Sequence, residues 1–337
     1  MKKTNVTMSV IVIVLLLATA LPGVVLAAVE GTSTGSFTAS NATPSVTSVA
    51  LWTTGGGAAA TDTMTPLVQY NVKVAVTDNN TLDDLSTVTV YLYHDADGTY
   101  DTGDRPGTGN TQTCAILTWT NGGGWSIDPD ASTTWAIVSG SCTAPTLTNS
   151  SGTYEFNFTP GKVSTETPGA GEWHIYAVAD DGTATGDSYQ EDRELNWYGE
   201  ITSLTATVSF GTVALGCTSS ISGTVSATYI ANGAYDEQVK SGATWTGQST
   251  AATLSLCTSG TSPAAAEFAM TTDDDGTEAG AELVLSASYT SIDEAGTQTG
   301  EAGDTAGNNH LWLYLGSSNI PAEEYQGTVY YQISDGS

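Results

Sequence analysis

The chain has 337 residues and carries 36 acidic against seven basic residues, a formal net charge of −29. A surface this negative repels nucleic acid and anionic lipid, so a nucleic-acid partner is excluded. Charged residues make up only 13% of the chain, where about 25% is usual. The imbalance therefore reflects a shortage of Lys and Arg, which favours cation binding over a halophile's solvation surface.

The N-terminus predicts export. Lys2 and Lys3 precede an apolar run from Val10 to Leu17, and small residues follow at Ala27 and Ala28. This layout is typical of a cleavable secretory signal, here residues 1–28. The predicted location is therefore extracellular, at the cell surface. The alternative is an uncleaved anchor over Ser9 to Val29, which would be the chain's only contact with a membrane.

Residues 29–43 are rich in Ser, Thr and Gly and predict a flexible segment. The four cysteines of an exported chain predict two disulfides. Their spacing favours Cys114 with Cys142 and Cys217 with Cys257, although four cysteines allow three connectivities.

Period-two alternation recurs after the leader, and a long amphipathic helical pattern does not occur. Turn residues separate the alternating stretches. The clearest predicted strands are Leu67–Thr77, Ser86–His94, Gly152–Thr159, Glu172–Ala179, Ser203–Phe210, Ile221–Ile230, Glu282–Thr290 and Gly327–Ser334. The pattern predicts an all-β protein of two tandem antiparallel β-sandwich domains, residues 44–199 and 200–337, divided near Gly199 to Thr202.

Two resemblances follow from these stretches. The first set of stretches is Val74–Asn79, Leu82–Leu85 and Val88–Tyr91, followed later by Gly152–Phe156 and Gly171–Gly182. This set resembles paired strands of prokaryotic immunoglobulin-like surface domains over residues 44–199. Residues 200–337 are similar to terminal sandwich modules of prokaryotic secreted envelope proteins, through Val208–Gly211, Tyr229–Gly233 and Tyr325–Tyr331. The resemblance implies a fold and a cell-surface setting, and no residue-level activity.

An acidic loop after the second predicted strand is a candidate Ca²⁺ site. Against a twelve-residue EF-hand loop, its residues fall at positions 3, 5, 9 and 12, with Gly98 at position 6. The proposed ligands are Asp95, Asp97, Asp101 and Asp104. Position 1 is Tyr93, so this would be a Ca²⁺ loop within a sandwich. The alternative is a solvated acidic turn.

Aromatic residues raise a second possibility, glycan binding. Trp119, Trp125 and Trp135 lie inside the predicted Cys114–Cys142 loop and would suit a sugar platform if exposed, while core packing is the competing explanation. Sequons at Asn41, Asn79 and Asn149 are candidate glycosylation sites.

The sequence contains no HExxH motif, and His174 and His310 are read as structural. We therefore expect no enzymatic activity. The sequence favours a structural or interaction protein of the cell envelope: a surface-layer component, a filament subunit or an adhesin, with itself or other envelope proteins as partners. In a filament, Val29–Thr43 would add a strand to the next subunit's sheet. The alternatives are a secreted carbohydrate-binding module and an extracellular hydrolase with an unrecognised acid pair.

Overall fold

The computed structural model describes residues 32–99, 101, 103, 105–129, 135–167, 172–216, 219–273, 276–278 and 283–336. The predicted signal peptide, residues 1–28, lies outside them. The described residues form β-strands and two short 3-10 turns, Leu82–Asp84 and Ser139–Ser141, with no α-helix among them. The all-β prediction is confirmed. Within the same residues, no helix is long and apolar enough to cross a bilayer.

The chain divides into two compact units, Met1–Ser40 and Asn41–Ser337. In the first unit, residues 32–40 form no strand or helix and are exposed. All the strands among the described residues belong to the second unit, in which the sheets are curled.

The N-terminal half of the second unit contains two sheets. The four-stranded sheet has the order β1-β3-β8-β7 and the six-stranded sheet the order β2-β10-β9-β4-β5-β6. Neighbours are antiparallel, except that β2 runs parallel to β10. The strands are β1 (Ser45–Thr53), β2 (Thr63–Met64), β3 (Tyr70–Thr77), β4 (Thr87–Asp95), β5 (Cys114–Thr120), β6 (Gly124–Asp128), β7 (Ala136–Ile137), β8 (Ser151–Thr159), β9 (Glu172–Asp180) and β10 (Thr185–Leu195).

Side-chain alternation builds one hydrophobic core between these two sheets. Val72, Val74 and Val76 of β3 are fully buried in the same cluster as Val88 and Val90 of β4. Successive side chains of a strand point to opposite faces, so each strand contributes every second residue. Fully burying one such side chain stabilises the fold by about 1.5–3 kcal/mol.

The C-terminal half of the second unit contains an eight-stranded sheet, β11-β12-β19-β16-β15-β14-β20 with β17 beside β16, and a three-stranded sheet, β18-β13-β21. Its core includes Trp245, Phe268 and Leu311. The strands are β11 (Gly199–Leu204), β12 (Ser220–Ala231), β13 (Tyr235–Ser241), β14 (Thr244–Gly247), β15 (Thr253–Leu256), β16 (Glu267–Asp273), β17 (Leu283–Val284), β18 (Thr290–Gly296), β19 (Asp304–Leu315), β20 (Tyr325–Gln326) and β21 (Val329–Asp335).

Six of the eight predicted strands correspond to observed ones: β3, β4, β8, β9, β12 and β21. The prediction of one strand over Ser203–Phe210 is wrong, because β11 ends at Leu204, and Phe210 packs on Trp245 from an irregular segment. The single strand predicted over Glu282–Thr290 is also wrong, because β17 ends at Val284 and β18 begins at Thr290.

The strand β10 was missed because its sequence hardly alternates in hydrophobicity. Of its 11 residues, only Arg193 and Leu195 are buried. Its position is set by backbone pairing with β9, a non-local contact that hydrophobic periodicity does not report.

The hydrophobic clusters divide near the predicted domain boundary. The first cluster takes its buried residues from Val46 to Leu195, and the largest of the others takes its own from Val225 to Leu313. The assignment of residues 44–199 and 200–337 to separate domains stays a prediction, since Asn41–Ser337 forms one compact unit.

Candidate functional site

The predicted Ca²⁺ loop follows directly from β4. The Asp97 N–H donates to Asp95 Oδ1 at 3.1 Å, and the Thr99 N–H donates to Asp97 Oδ1 at 2.9 Å. Gly98, between them, has a φ of 70°, a left-handed conformation that suits glycine. These two carboxylates therefore shape the turn itself. Asp101 is exposed, and Asp104 lies outside the described residues. Ca²⁺ binding by this loop stays a prediction.

Two histidines flank the start of this loop. Fully buried His174 places Nε2 3.7 Å from Asp95 Oδ2, and its ring lies 5.4 Å from that of Tyr93. His94 packs edge-on against Trp173. Burial lowers the pKa of His94, although Asp95 opposes the shift, so this ring is neutral near pH 7. Both rings are held by packing.

Three carboxylates outside the predicted Ca²⁺ loop lie close together. Among the described residues, oxygens of Asp78, Asp84 and Asp181 lie within 4.8 Å of one another. None of these three residues is among the metal ligands predicted from the sequence. The sequence does place acidic residues in two turns: Asp78 and Asp84 lie in the connection after β3, and Asp181 begins the hairpin turn after β9. The proximity of these two turns depends on strand pairing, which the sequence pattern does not reveal.

The proposed aromatic platform is not exposed. Trp119 and Trp135 are 5% and 2% exposed. Trp119 packs on Tyr154, and half-buried Trp125 packs edge-on against Phe156. The core explanation of Trp119 and Trp135 is confirmed, and their use as a sugar platform is wrong, because alternation on β5 directs Trp119 into the space between the sheets.

The predicted Cys114–Cys142 disulfide is not formed, and this prediction is corrected: both residues are free thiols. Cys114 begins β5 and is fully buried with Tyr93 and Tyr176, in a cluster separate from the main core. Cys142 lies beside β8, where its sulfur accepts the Asn157 N–H at 3.2 Å. The two cysteines pack against strands of different sheets, which sequence spacing does not reveal.

Cys257 is a buried free thiol whose sulfur lies 3.4 Å from Ser259 Oγ. Its predicted partner, Cys217, lies outside the described residues.

We expect Cys114 to resist alkylation in the native protein and to react after unfolding. Burial, reinforced by the charge of Asp128, raises the pKa of its thiol to about 12. At pH 8 only about one Cys114 in ten thousand would be a thiolate, the reactive form. Cys142 is half-buried, so it should label faster. Peptide mass spectrometry after iodoacetamide treatment, with and without guanidinium, measures both residues.

Reductant is omitted from this labelling experiment. A Cys114–Cys142 bridge would leave both cysteines unlabelled in guanidinium, and that result would contradict the structure. Cys114→Ser, labelled under the same conditions, identifies the signal of Cys142.

The three candidate glycosylation residues, Asn41, Asn79 and Asn149, are exposed. The Asn41 amide donates to Asp181 Oδ2 at 2.8 Å. Glycosylation at these positions stays a prediction.

The two halves of the second unit meet at a hydrogen-bonded joint, formed by residues 162–166, 196–200, 231–234 and 298–299. Its centre is Asn232, which is fully buried. The Asn232 amide group donates to Ser164 O at 2.9 Å and to Asn196 O at 3.0 Å, and its Oδ1 accepts the Tyr198 N–H at 2.6 Å. A single side chain thus connects three backbone segments.

Further bonds cross the joint around Asn232. The Glu166 N–H donates to Asn232 O at 3.1 Å, and Gln298 Nε2 donates to Val163 O at 2.8 Å. A β-carbon on Gly233 would lie 2.3 Å from the Glu166 carboxyl carbon, so glycine permits this close approach. The joint therefore fixes the two halves through backbone groups as well as side chains.

An ion pair completes the joint. Lys162 Nζ lies 2.6 Å from Glu200 Oε1, and the Tyr198 hydroxyl donates to Glu200 Oε2 at 2.7 Å. Burial opposes ionisation of Glu200, but the hydrogen bonds from Lys162 and Tyr198 together outweigh it and hold its pKa below the usual range. The carboxylate is ionised near pH 7, where it keeps both partners.

Comparison of the chain with models of protein families finds no match, and comparison with curated proteins finds none either.

Proposed function

We propose that this chain is a non-enzymatic structural or interaction protein of the cell envelope, exported and built from two immunoglobulin-like sandwich domains in tandem. The observation that carries the proposal is the joint. A buried asparagine, an ion pair and backbone hydrogen bonds link two all-β halves across it. A protein that transmits force or holds a position in an array needs such a connection, because a flexible linker would let its domains reorient.

The charge and the covered aromatic residues agree with this role. The five basic residues outside the leader leave a strongly acidic surface, which favours an environment rich in divalent cations. Trp119 and Trp135 are buried, so the carbohydrate-binding alternative has lost two of its three proposed contact residues.

Self-assembly through the N-terminal segment is the mechanism we propose for an array. Phe37 is 93% exposed, and it lies in the alternating stretch Ser36 to Ser40. An extended segment of this kind can add a strand to a sheet of the next subunit, with the backbone providing affinity and the alternate side chains providing specificity. Burial of Phe37 in that sheet would contribute about 1.5–3 kcal/mol per contact.

Negative-stain electron microscopy of the purified protein, with millimolar Ca²⁺ and then with chelator, tests this proposal. We expect sheets or filaments in Ca²⁺ and their loss on chelation. Phe37→Ser should abolish them. The matched control is Val68→Ser, which removes an apolar side chain of 47% exposure from a turn of the second unit and should assemble like the wild type.

Dispersed monomers under both conditions would contradict the self-assembly proposal. Assembly that survives Phe37→Ser would reject the N-terminal segment as the connecting element.

A further inference from the structure

We propose that Asp78, Asp84 and Asp181 form a divalent-cation site, suited to Ca²⁺, that ties the two sheets of the N-terminal half together at one end. This site is separate from the loop of residues 95–104, and the inference does not rest on the proposed envelope role. Oxygens of the three carboxylates lie within 4.8 Å of one another.

The three ligands come from three segments. Asp78 directly follows β3 of the four-stranded sheet, and Asp84 ends the 3-10 turn Leu82–Asp84. Asp181 directly follows β9 of the six-stranded sheet and opens the turn into β10. The antiparallel register pairs Thr87 of β4 with Asp180, which brings the start of β4 beside this turn. A cation here would therefore join both sheets through their connecting turns.

The decisive observation is the burial of Asp78. This side chain is 1% exposed, and its Oδ1 accepts the Asn80 N–H at 2.8 Å. Its other oxygen, Oδ2, is buried without a hydrogen-bond partner among the residues that the structure describes. A buried carboxylate oxygen with no donor is costly, and coordination to a cation is the arrangement that satisfies it in an acidic cluster.

Among the described residues, no Lys or Arg side chain is paired with this cluster. In the described part of the chain, each Lys and Arg is engaged at another place: Lys73 with Glu155, Arg105 over Tyr91 and Tyr176, Lys162 with Glu200, Arg193 with Asp62, and Lys240 over Tyr289 and Tyr330. Three carboxylates at this separation repel one another, and a bound divalent cation would reverse the sign of that interaction.

The donor set indicates the class of ion. All three side chains offer oxygen, and the cluster includes neither histidine nor cysteine. Oxygen-only ligands select hard cations, and Ca²⁺ accepts six to eight ligands in flexible geometry, so backbone carbonyls and water can complete its shell. Asp181 Oδ1 accepts the N–H groups of Thr183 and Ala184 at 2.7 Å, which fixes this ligand in place.

Calorimetric titration of chelator-treated protein with CaCl₂, combined with thermal unfolding, tests the site. We expect the wild type to bind Ca²⁺ and its Tm to rise by about 5 °C when the ion exceeds Kd by about 100-fold. Asp78→Asn should weaken binding by about 100-fold and Asp84→Asn by about 10-fold. Asp84 is exposed, so its substitution keeps the test valid if Asp78→Asn fails to fold.

Asp83→Asn is the matched control. Asp83 is exposed in the same 3-10 turn but is not a member of the cluster, so this variant removes one charge and should bind like the wild type. The double variant Asp95→Asn with Asp97→Asn separates the two candidate sites, and it should retain the response of the Asp78 site.

Absence of any Ca²⁺-dependent rise in Tm in the wild type would overturn the proposal. Equal loss of binding in Asp83→Asn and Asp84→Asn would also overturn it, because the effect would then be one of general charge. Filament formation is not measured here, so failure of the proposed function leaves this result unaffected.

Discussion

Replacement of Asn232 by alanine should lower the free energy of unfolding by about 3–5 kcal/mol and uncouple the two halves of the second unit. The Asn232 side chain is fully buried and bonds three backbone groups: the carbonyls of Ser164 and Asn196 and the N–H of Tyr198. Alanine leaves all three without that partner, and an unsatisfied buried polar group costs about 1–3 kcal/mol.

The coupling between the two halves leads to a second, independent prediction. Wild-type protein should unfold in one transition in guanidinium, because separation of the halves exposes the joint. Asn232→Ala should give two transitions, visible as non-coincident circular dichroism and tryptophan fluorescence curves. Small-angle scattering of the native variant should report a broader distribution of distances between the halves.

Asn196→Ala is the control for this experiment. The Asn196 side chain is exposed and bonds Thr65, while its carbonyl remains available to Asn232. We expect its effect to stay within about 0.5 kcal/mol. An Asn232→Ala variant as stable as Asn196→Ala, with a single transition, would refute the role of the joint.

Substitutions of Glu237 should have the next largest effect on the free energy of unfolding, and that effect should depend on pH. This residue is fully buried on β13. Its Oε1 accepts hydrogen bonds from the Tyr229 hydroxyl and from the Asn309 amide at 2.5 Å. Its Oε2 is buried and has no hydrogen-bond partner within the described ranges. Glu237→Ala should cost about 2–4 kcal/mol, because it leaves the Tyr229 and Asn309 donors unpaired.

Replacement of Glu237 by glutamine should raise the free energy of unfolding at pH 7, whereas replacement by alanine lowers it. Burial raises the pKa of Glu237, and the hydrogen bonds from Tyr229 and Asn309 oppose that shift only in part. The folded protein therefore holds the proton to a higher pH than the unfolded chain does. The stabilising contribution of the protonated Glu237 carboxyl group is complete below the pKa of glutamate in the unfolded chain, near 4.3. This contribution is lost as the pH rises through the higher pKa of Glu237 in the folded protein. Glu237→Gln cannot ionise, so it should be more stable than the wild type at a pH above the pKa of Glu237 in the folded protein.

Guanidinium denaturation from pH 4 to pH 8 measures this difference. The stability of Glu237→Gln relative to the wild type should increase with pH through the interval and then level off. Glu324→Gln, a change at an exposed glutamate, should follow the wild-type curve. A constant difference between Glu237→Gln and the wild type at every pH would show that Glu237 is ionised to the same extent in both states.

The predicted strands illustrate how much of the fold the sequence encodes locally. Strands β3, β4, β8 and β9 have alternate apolar residues along their length, and each was predicted within a few residues of its observed bounds. Strand β10 lacks that alternation and was missed. Its residues gain their stability from pairing with β9, a neighbour that hydrophobic periodicity does not identify.

The candidate sites depended even more on distant contacts. Cys114 and Cys142 are separated by a loop length compatible with a disulfide, yet they pack against strands of different sheets. Asp78 and Asp181 lie far apart in sequence but meet at one end of the N-terminal half. Asn232 appears in the sequence as an ordinary turn residue before Gly233, and only its buried contacts identify it as the centre of the joint.

The sequence by itself determined the all-β class, the strongly acidic character and the approximate positions of six strands, because hydrophobic periodicity and composition are local properties of a chain. The tertiary structure alone decided which cysteines stay apart, which tryptophans are buried, which carboxylates converge and how the two halves join. Those outcomes depend on strand order and register, which arise from the simultaneous pairing and packing of residues far apart in sequence.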